Sequence, residues 1–225
     1  TLKEQEIFAF VPESERFSRL RVEAKALFEQ HPDTKNRPPL FGLIVGVKDI
    51  FHADGHITSA GSHVPVDVLQ GIEAESVTLL KKAGALVIGK TITTEFAYFA
   101  PGPTRNPHNV LCTPGGSSSG SAAAVSSGLC LLSLGTQTIG SITRPGAFCG
   151  VVGYKPTYDR ISRSGVIPLS PSVDHVGTFA PDVATAACAA TQLVEKWNLE
   201  ITDTKENQSI SLGVPEGVYL DNVSD

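Results

Sequence analysis

Lys48 stands at the end of an apolar, β-branched run, FGLIVGVKD over 41–49, with Asp49 beside it. A lysine amine works as a base only when neutral, and its ordinary pKa of about 10.4 keeps it charged near pH 7. Burial disfavours the charged form and lowers that pKa, which makes Lys48 a candidate base. The plainer reading of the same residues is an ion pair between Lys48 and Asp49 at a strand end. A second stretch able to do chemistry is GGSSSGS, 115–121, and three readings are open for it. It could be a flexible linker, as Gly/Ser runs often are, although an Ala-rich helix and an apolar strand follow at once. It could cradle phosphate at a helix start, although neither the Gly-Lys-Ser/Thr ending of a P-loop nor the spaced glycines of a dinucleotide fingerprint are present. It could be a nucleophile elbow, since Gly116-Ser117-Ser118-Ser119-Gly120 fits GxSxG with Ser118 as nucleophile and with Asp174 and His175 downstream. An elbow needs a strand running into it, and residues 100–114, with four prolines, read as loop.

His52, Asp54 and His56 gather ligand-type side chains around Gly55, but no further ligand set accompanies them, so no metal is expected. Cys112, Cys130, Cys149 and Cys188 form no CxxC pair, and each sits among small or apolar neighbours. They read as buried free thiols of a reducing, cytoplasmic compartment, and Cys149 reads as packing. Asp174 is expected to fix the SVDHVG turn. The chain of 225 residues has 41% hydrophobic and 18% charged residues and a net charge of −5. It carries no Lys/Arg run, so no direct nucleic-acid partner is expected. The N-terminus TLKEQEIFAF lacks the design of a secretion signal. The weakly apolar stretch 121–135 is too short and too polar to span a membrane.

The elements that must position these residues alternate. Residues 13–31 have helical spacing through Phe17, Leu20, Ala24, Leu27 and Phe28, with a cap region at Ser14. A loop follows over 31–39, then a buried strand over 41–49. Residues 73–83 read as helix, 85–90 as strand, 121–128 as a small-residue helix and 129–135 as a buried strand. TQTIGS, 136–141, reads as a turn and 142–150 as a short helix. Short strands and turns fill 151–180, and 182–197 is a helix. This rhythm is that of an α/β fold. A start at Thr1, the absence of Met, and a strand and turn opening at 209–217 point to an N-terminal part of a longer chain.

Several of these segments, taken together and in this order, resemble the amidase-signature family. They are GLIVGVKDIF (42–51), GALVIGKTITTEFA (84–97), GGSSSGSAAAV (115–125), LGTQTIGSITRP (134–145), FCGVVGYKPT (148–157) and SRSGVIPLSPSVDHVGTFAPD (162–182). The resemblance covers about 40–185. It implies an α/β/α sandwich around a large mixed β-sheet, here its N-terminal half, with 1–225 as a single domain truncated at the C-terminus. It implies an amidohydrolase that cleaves a linear carboxylic amide through an acyl-enzyme on a Ser-Ser-Lys triad, with no cofactor. Residue by residue, the family's lysine falls on Lys48, its bridging serine, held in a cis peptide, on Ser117, and its nucleophile on Ser141. Ser117 and Ser141 lie 24 positions apart, as the family pattern requires.

The implied chemistry is coherent. Ser141 attacks, Ser117 relays its proton to Lys48, and backbone N–H groups of Thr138, Ile139, Gly140 and Ser141 at a helix start hold the oxyanion. The family often has Gly-Gly before the nucleophile, and here Ile139-Gly140 stands there, so Ile139 must keep an ordinary negative φ. Gly116 and Arg144 are candidate substrate contacts. Arg144 could grip a substrate carboxylate bidentately or pair with a structural acid. The resemblance also implies a small-molecule amide as substrate, and a second copy or the missing C-terminal segment as partner. The family includes the amidase subunit of the glutamyl-tRNA amidotransferase complex, which is the second reading. GSSSGS, where GSSGGS is commoner, leans toward a free-standing enzyme.

Overall fold

The computed structural model describes residues 2–197 together with Ser211, Gly213 and Gly217. Thr1–Glu195 forms one compact unit and Lys196–Asp225 a second. In chain order the first unit contains helices α1 (Leu2–Ile7) and α2 (Arg16–Gln30), strand β1 (Ile44–Lys48), helix α3 (Glu75–Lys82), strand β2 (Leu86–Thr91), helix α4 (Ser119–Ser126), strand β3 (Leu132–Gln137), helix α5 (Thr143–Cys149), strands β4 (Val152–Tyr154) and β5 (His175–Ala180), and helix α6 (Val183–Leu193). The strand and turn expected over 209–217 lie largely outside the described residues.

The strands form one mixed sheet in the order β2-β1-β3-β5-β4. β1 runs parallel to both β2 and β3, while β5 is antiparallel to β3 and β4. Central parallel strands are covered on both faces and therefore read as continuous apolar runs. Helices α4 and α6 both pack on β3 and β5 without packing on each other, so they occupy opposite faces of the sheet. α5 accompanies α4, and α3 accompanies α6. This is the expected α/β sandwich.

Helix α4 can sit unusually close to the sheet because its residues are small. A Cβ on Gly120 would land on the Ala9 carbonyl and the Ile92 backbone, and one on Gly135 would meet the Phe179 ring at 2.6 Å. Ser121 sends its hydroxyl to the Leu134 carbonyl at 2.8 Å, which satisfies a polar group in an otherwise apolar contact. The core on this side comprises Ile7, Ala9, Phe10, Ala122, Ala123, Ala124, Val125, Ile142, Cys149 and Phe179.

Some expectations shift. β3 extends through Thr136 and Gln137, which the sequence places in a turn; pairing with β5 reaches Gln137↔His175, and the Thr136 and Gln137 side chains are buried because they have polar partners inside. α4 begins at Ser119 rather than at 121. Helix α2 is capped at Glu15 without a side-chain bond, not at Ser14, and none of its residues is fully buried. The helix lies along the sheet edge, where Arg19 donates to the Val87 and Ile88 carbonyls of β2 at 3.0 and 3.3 Å, while Phe17 and Phe28 of the stripe are exposed. All four cysteines are free, but Cys112 and Cys188 are exposed; only Cys130 and Cys149 are buried. Apolar neighbours in sequence do not ensure burial when a residue sits in a loop or on a helix's outer face.

Candidate functional site

Strand pleating sends successive side chains to opposite sides. Lys48 and Asp49 therefore part at the end of β1, and the ion pair between them is not made. Asp49 turns to the buried Lys90, 2.9 Å away, and accepts from the Ser59 N–H. Lys48 is fully buried on the other side and has no acid partner among the described residues. Its Nζ donates to Ser117 Oγ and to Thr136 Oγ1, both at 2.8 Å. Burial pulls its pKa down to about 7, against a smaller upward pull from the Asp174 charge. A buried, uncompensated amine is held near neutrality because the ammonium loses its hydration.

Ser117 follows a cis Gly116–Ser117 peptide bond. Its carbonyl accepts from the Thr94 N–H at 3.1 Å, and its side chain is nearly inaccessible. Arg144 reaches back from α5 and donates through Nε and Nη2 to the Gly116 carbonyl, at 3.2 and 2.7 Å. Its partner is thus a carbonyl, not the structural acid that was one of the two alternatives.

The turn 138–141 leads from β3 into α5. Thr138 Oγ1 donates to Asp174 Oδ1 at 2.5 Å, and Asp174 Oδ2 accepts from the N–H groups of Leu169 and Ser170. Asp174 does fix its own turn, as expected, and also ties that turn to Thr138. Ile139 is not among the residues with positive φ, so the Ile-Gly sequence is accommodated without strain. No backbone N–H of residues 138–141 donates to another described residue. Ser141 is half-buried and lines a cavity of about 90 Å³ with Thr138, Ile139, Gly140, Arg144 and Tyr98. Its hydroxyl makes no hydrogen bond among the described residues, so the Lys48–Ser117 contact is formed and a Ser117–Ser141 contact is not. Catalytic hydrogen bonds often close only when substrate is bound.

Larger cavities flank this one. A cavity of about 390 Å³ is lined by Tyr98, Phe99, Pro101, Gly116, Arg144 and Phe148. Another, of about 280 Å³, lies beside Thr136, Thr138, Asp174 and the apolar segment Val166–Leu169.

The elbow reading fails. Ser118 is buried and its hydroxyl bonds the Thr136 carbonyl at 3.2 Å, while His175 Nδ1 lies 2.7 Å from the Val173 carbonyl and Asp174 is engaged elsewhere. The three side chains do not meet. His52, Asp54 and His56 line a separate cavity of about 310 Å³. Burial, then the Arg19 charge, hold His56 down at about 4. Among the described residues no cluster of three or more metal-ligating side chains occurs. The sequence reading missed Thr136, Gln137 and the Asp174–Thr138 link. The available signal was a pair of polar residues, Thr136-Gln137, directly after an apolar run.

The amidase family model matches residues 12–216. A glutamyl-tRNA(Gln) amidotransferase subunit from Koribacter versatilis (strain Ellin345) is 47% identical over 156 residues, which is 67% of this chain and 32% of that protein. Among solved structures, a crystal structure of an amidase superposes with TM-score 0.78 at 40% identity, covering 85% of this chain and 46% of that one. The native peptide amidase from Stenotrophomonas maltophilia superposes with TM-score 0.76 at 34% identity, covering 92% and 44%. The chain thus spans about a third to under a half of the lengths of the proteins it matches.

Proposed function

Since the chain belongs to the amidase family, we propose that it supplies the Ser-Ser-Lys centre of an enzyme that hydrolyses a small carboxylic amide. The observation that carries this is Lys48, fully buried, without an acid partner among the described residues, its pKa pulled down to about 7, and bonded to Ser117. In this reading Ser141 Oγ attacks the amide carbon as its proton passes to Ser117 Oγ and the Ser117 proton passes to Lys48 Nζ. The tetrahedral oxyanion is met by N–H groups of the 138–141 turn, all of them free of other acceptors among the described residues. Collapse breaks the C–N bond, and the leaving nitrogen takes a proton back through Ser117. Water, activated by the same relay, then releases the acyl group. No step calls for a metal or an organic cofactor.

Arg144 borders both cavities beside Ser141 and Gly116 the larger of them, which supports reading the pair as substrate contacts. Two Arg144 nitrogens already hold Gly116, which leaves Nη1 for a substrate oxygen. No helix among the described residues is long and apolar enough to cross a membrane. Four free thiols fit a cytoplasmic setting. A second reading, the amidase component of an amidotransferase complex, is favoured by the 47% identity to a protein of that name. A fluorophosphonate probe tests the centre. Peptide mapping should find the label on Ser141, and Lys48→Ala should slow labelling by about 10²–10⁴-fold, the usual contribution of a general base. Label on another serine, or an unchanged rate in Lys48→Ala, refutes the assignment.

A further inference from the structure

Gln137 ends β3 one residue before the turn, and its side chain is 6% exposed. Its Oε1 accepts from the N–H groups of Ile142 at 2.8 Å and Thr143 at 2.9 Å, and from the Thr143 hydroxyl at 3.2 Å. Its Nε2 donates to the Ile139 carbonyl at 3.1 Å. One side chain thus bridges both flanks of the segment that holds Gly140 and Ser141. In a planar trans peptide the carbonyl of one residue and the N–H of the next point in opposite directions. Drawing the Ile139 carbonyl inward to Gln137 therefore turns the Gly140 N–H outward, toward the cavity that Gly140 and Ser141 line. The six consecutive N–H groups of residues 138–143 are divided accordingly. Those of 142 and 143 are taken by Gln137, and those of 138–141 have no acceptor among the described residues.

We infer that Gln137 is a positioning residue, which aims the Gly140 N–H at the developing oxyanion and fixes the Ser141 turn; this rests on the amide-hydrolase reading above. Both halves of the amide are used. A side chain that only accepts would leave the 139–140 peptide free to rotate. One that does neither would also leave the buried Ile142 N–H without a partner.

The test is the rate at which a fluorophosphonate modifies Ser141, since its phosphoryl oxygen occupies the oxyanion position. In Gln137→Met, which keeps the length of the side chain, the maximal modification rate is expected to fall roughly 100-fold, as a misplaced reacting group does. The probe concentration giving half that rate should not change. Gln137→Glu keeps the acceptor and is expected to fall between the two. If Gln137→Met does not fold, Gln137→Asn, one methylene too short to bridge, takes its place with the same expectation. A wild-type rate in the folded Met or Asn variant, or a Glu variant no faster than it, overturns the inference while leaving the amide-hydrolase reading intact. A wild-type protein that takes no label at all overturns both.

Discussion

Lys48 is where the site's electrostatics are decided. On the proposed reading Lys48 is the base and acts in its neutral form, so activity should rise with pH through a midpoint of about 7. The same depression has a stability consequence. An unfolded lysine titrates near 10.4, about three units higher. Below pH 7 both states are protonated and the folded state bears the full cost of a buried ammonium. That cost shrinks as pH rises from about 7 toward 10.4, because there only the unfolded chain binds the proton. In Lys48→Met the cost is gone at every pH. Urea titrations should therefore show the variant's stability improving relative to the wild type as pH is lowered from 9 to 6. Parallel curves would mean that Lys48 titrates normally. The sequence pointed to Lys48 because an apolar strand leading into it implies burial. It did not reveal that Asp49 bonds Lys90, because that pairing joins β1 to β2 across a gap of some forty residues.

At the scale of elements, the contact of α4 with the sheet sets the distance between Ser117 and Lys48. Gly120 allows that contact, since any Cβ there would strike backbone rather than a movable side chain. Gly120→Ala should cost about 3 kcal/mol or more of unfolding free energy, at the upper end of overpacking penalties. Denaturant melts measure it, and a loss below about 1 kcal/mol would show that the helix can shift freely. The composition SGSAAAVS makes a tightly packed helix legible. The start at Ser119 and the persistence of β3 into Gln137 were not legible, because both follow from partners distant in the chain: Ile92 accepts from the Gly120 N–H, and β5 pairs with the end of β3.

For the molecule as a whole, burial divides the cysteines in two. Desolvation pushes the thiols of Cys130 and Cys149 up to about 12, while Cys112 and Cys188 are exposed. A thiol reagent should modify Cys112 and Cys188 in the native protein, and the buried pair only on denaturation. Prompt modification of Cys149, which packs beside the Ser117 loop and donates to the Pro114 carbonyl, would mean that this face of the fold opens readily. By itself the sequence determined the α/β alternation and the family, because strand apolarity, turn glycines and motif order are local properties; Lys48, Ser117 and Ser141 follow from it only as what the resemblance implies. Only the tertiary structure decided which polar groups meet: Lys48 with Thr136, Asp174 with Thr138, Arg144 with Gly116, and Gln137 with the turn it braces. Those pairings depend on sheet order and on which way each side chain leaves its strand, and no short window of sequence encodes either.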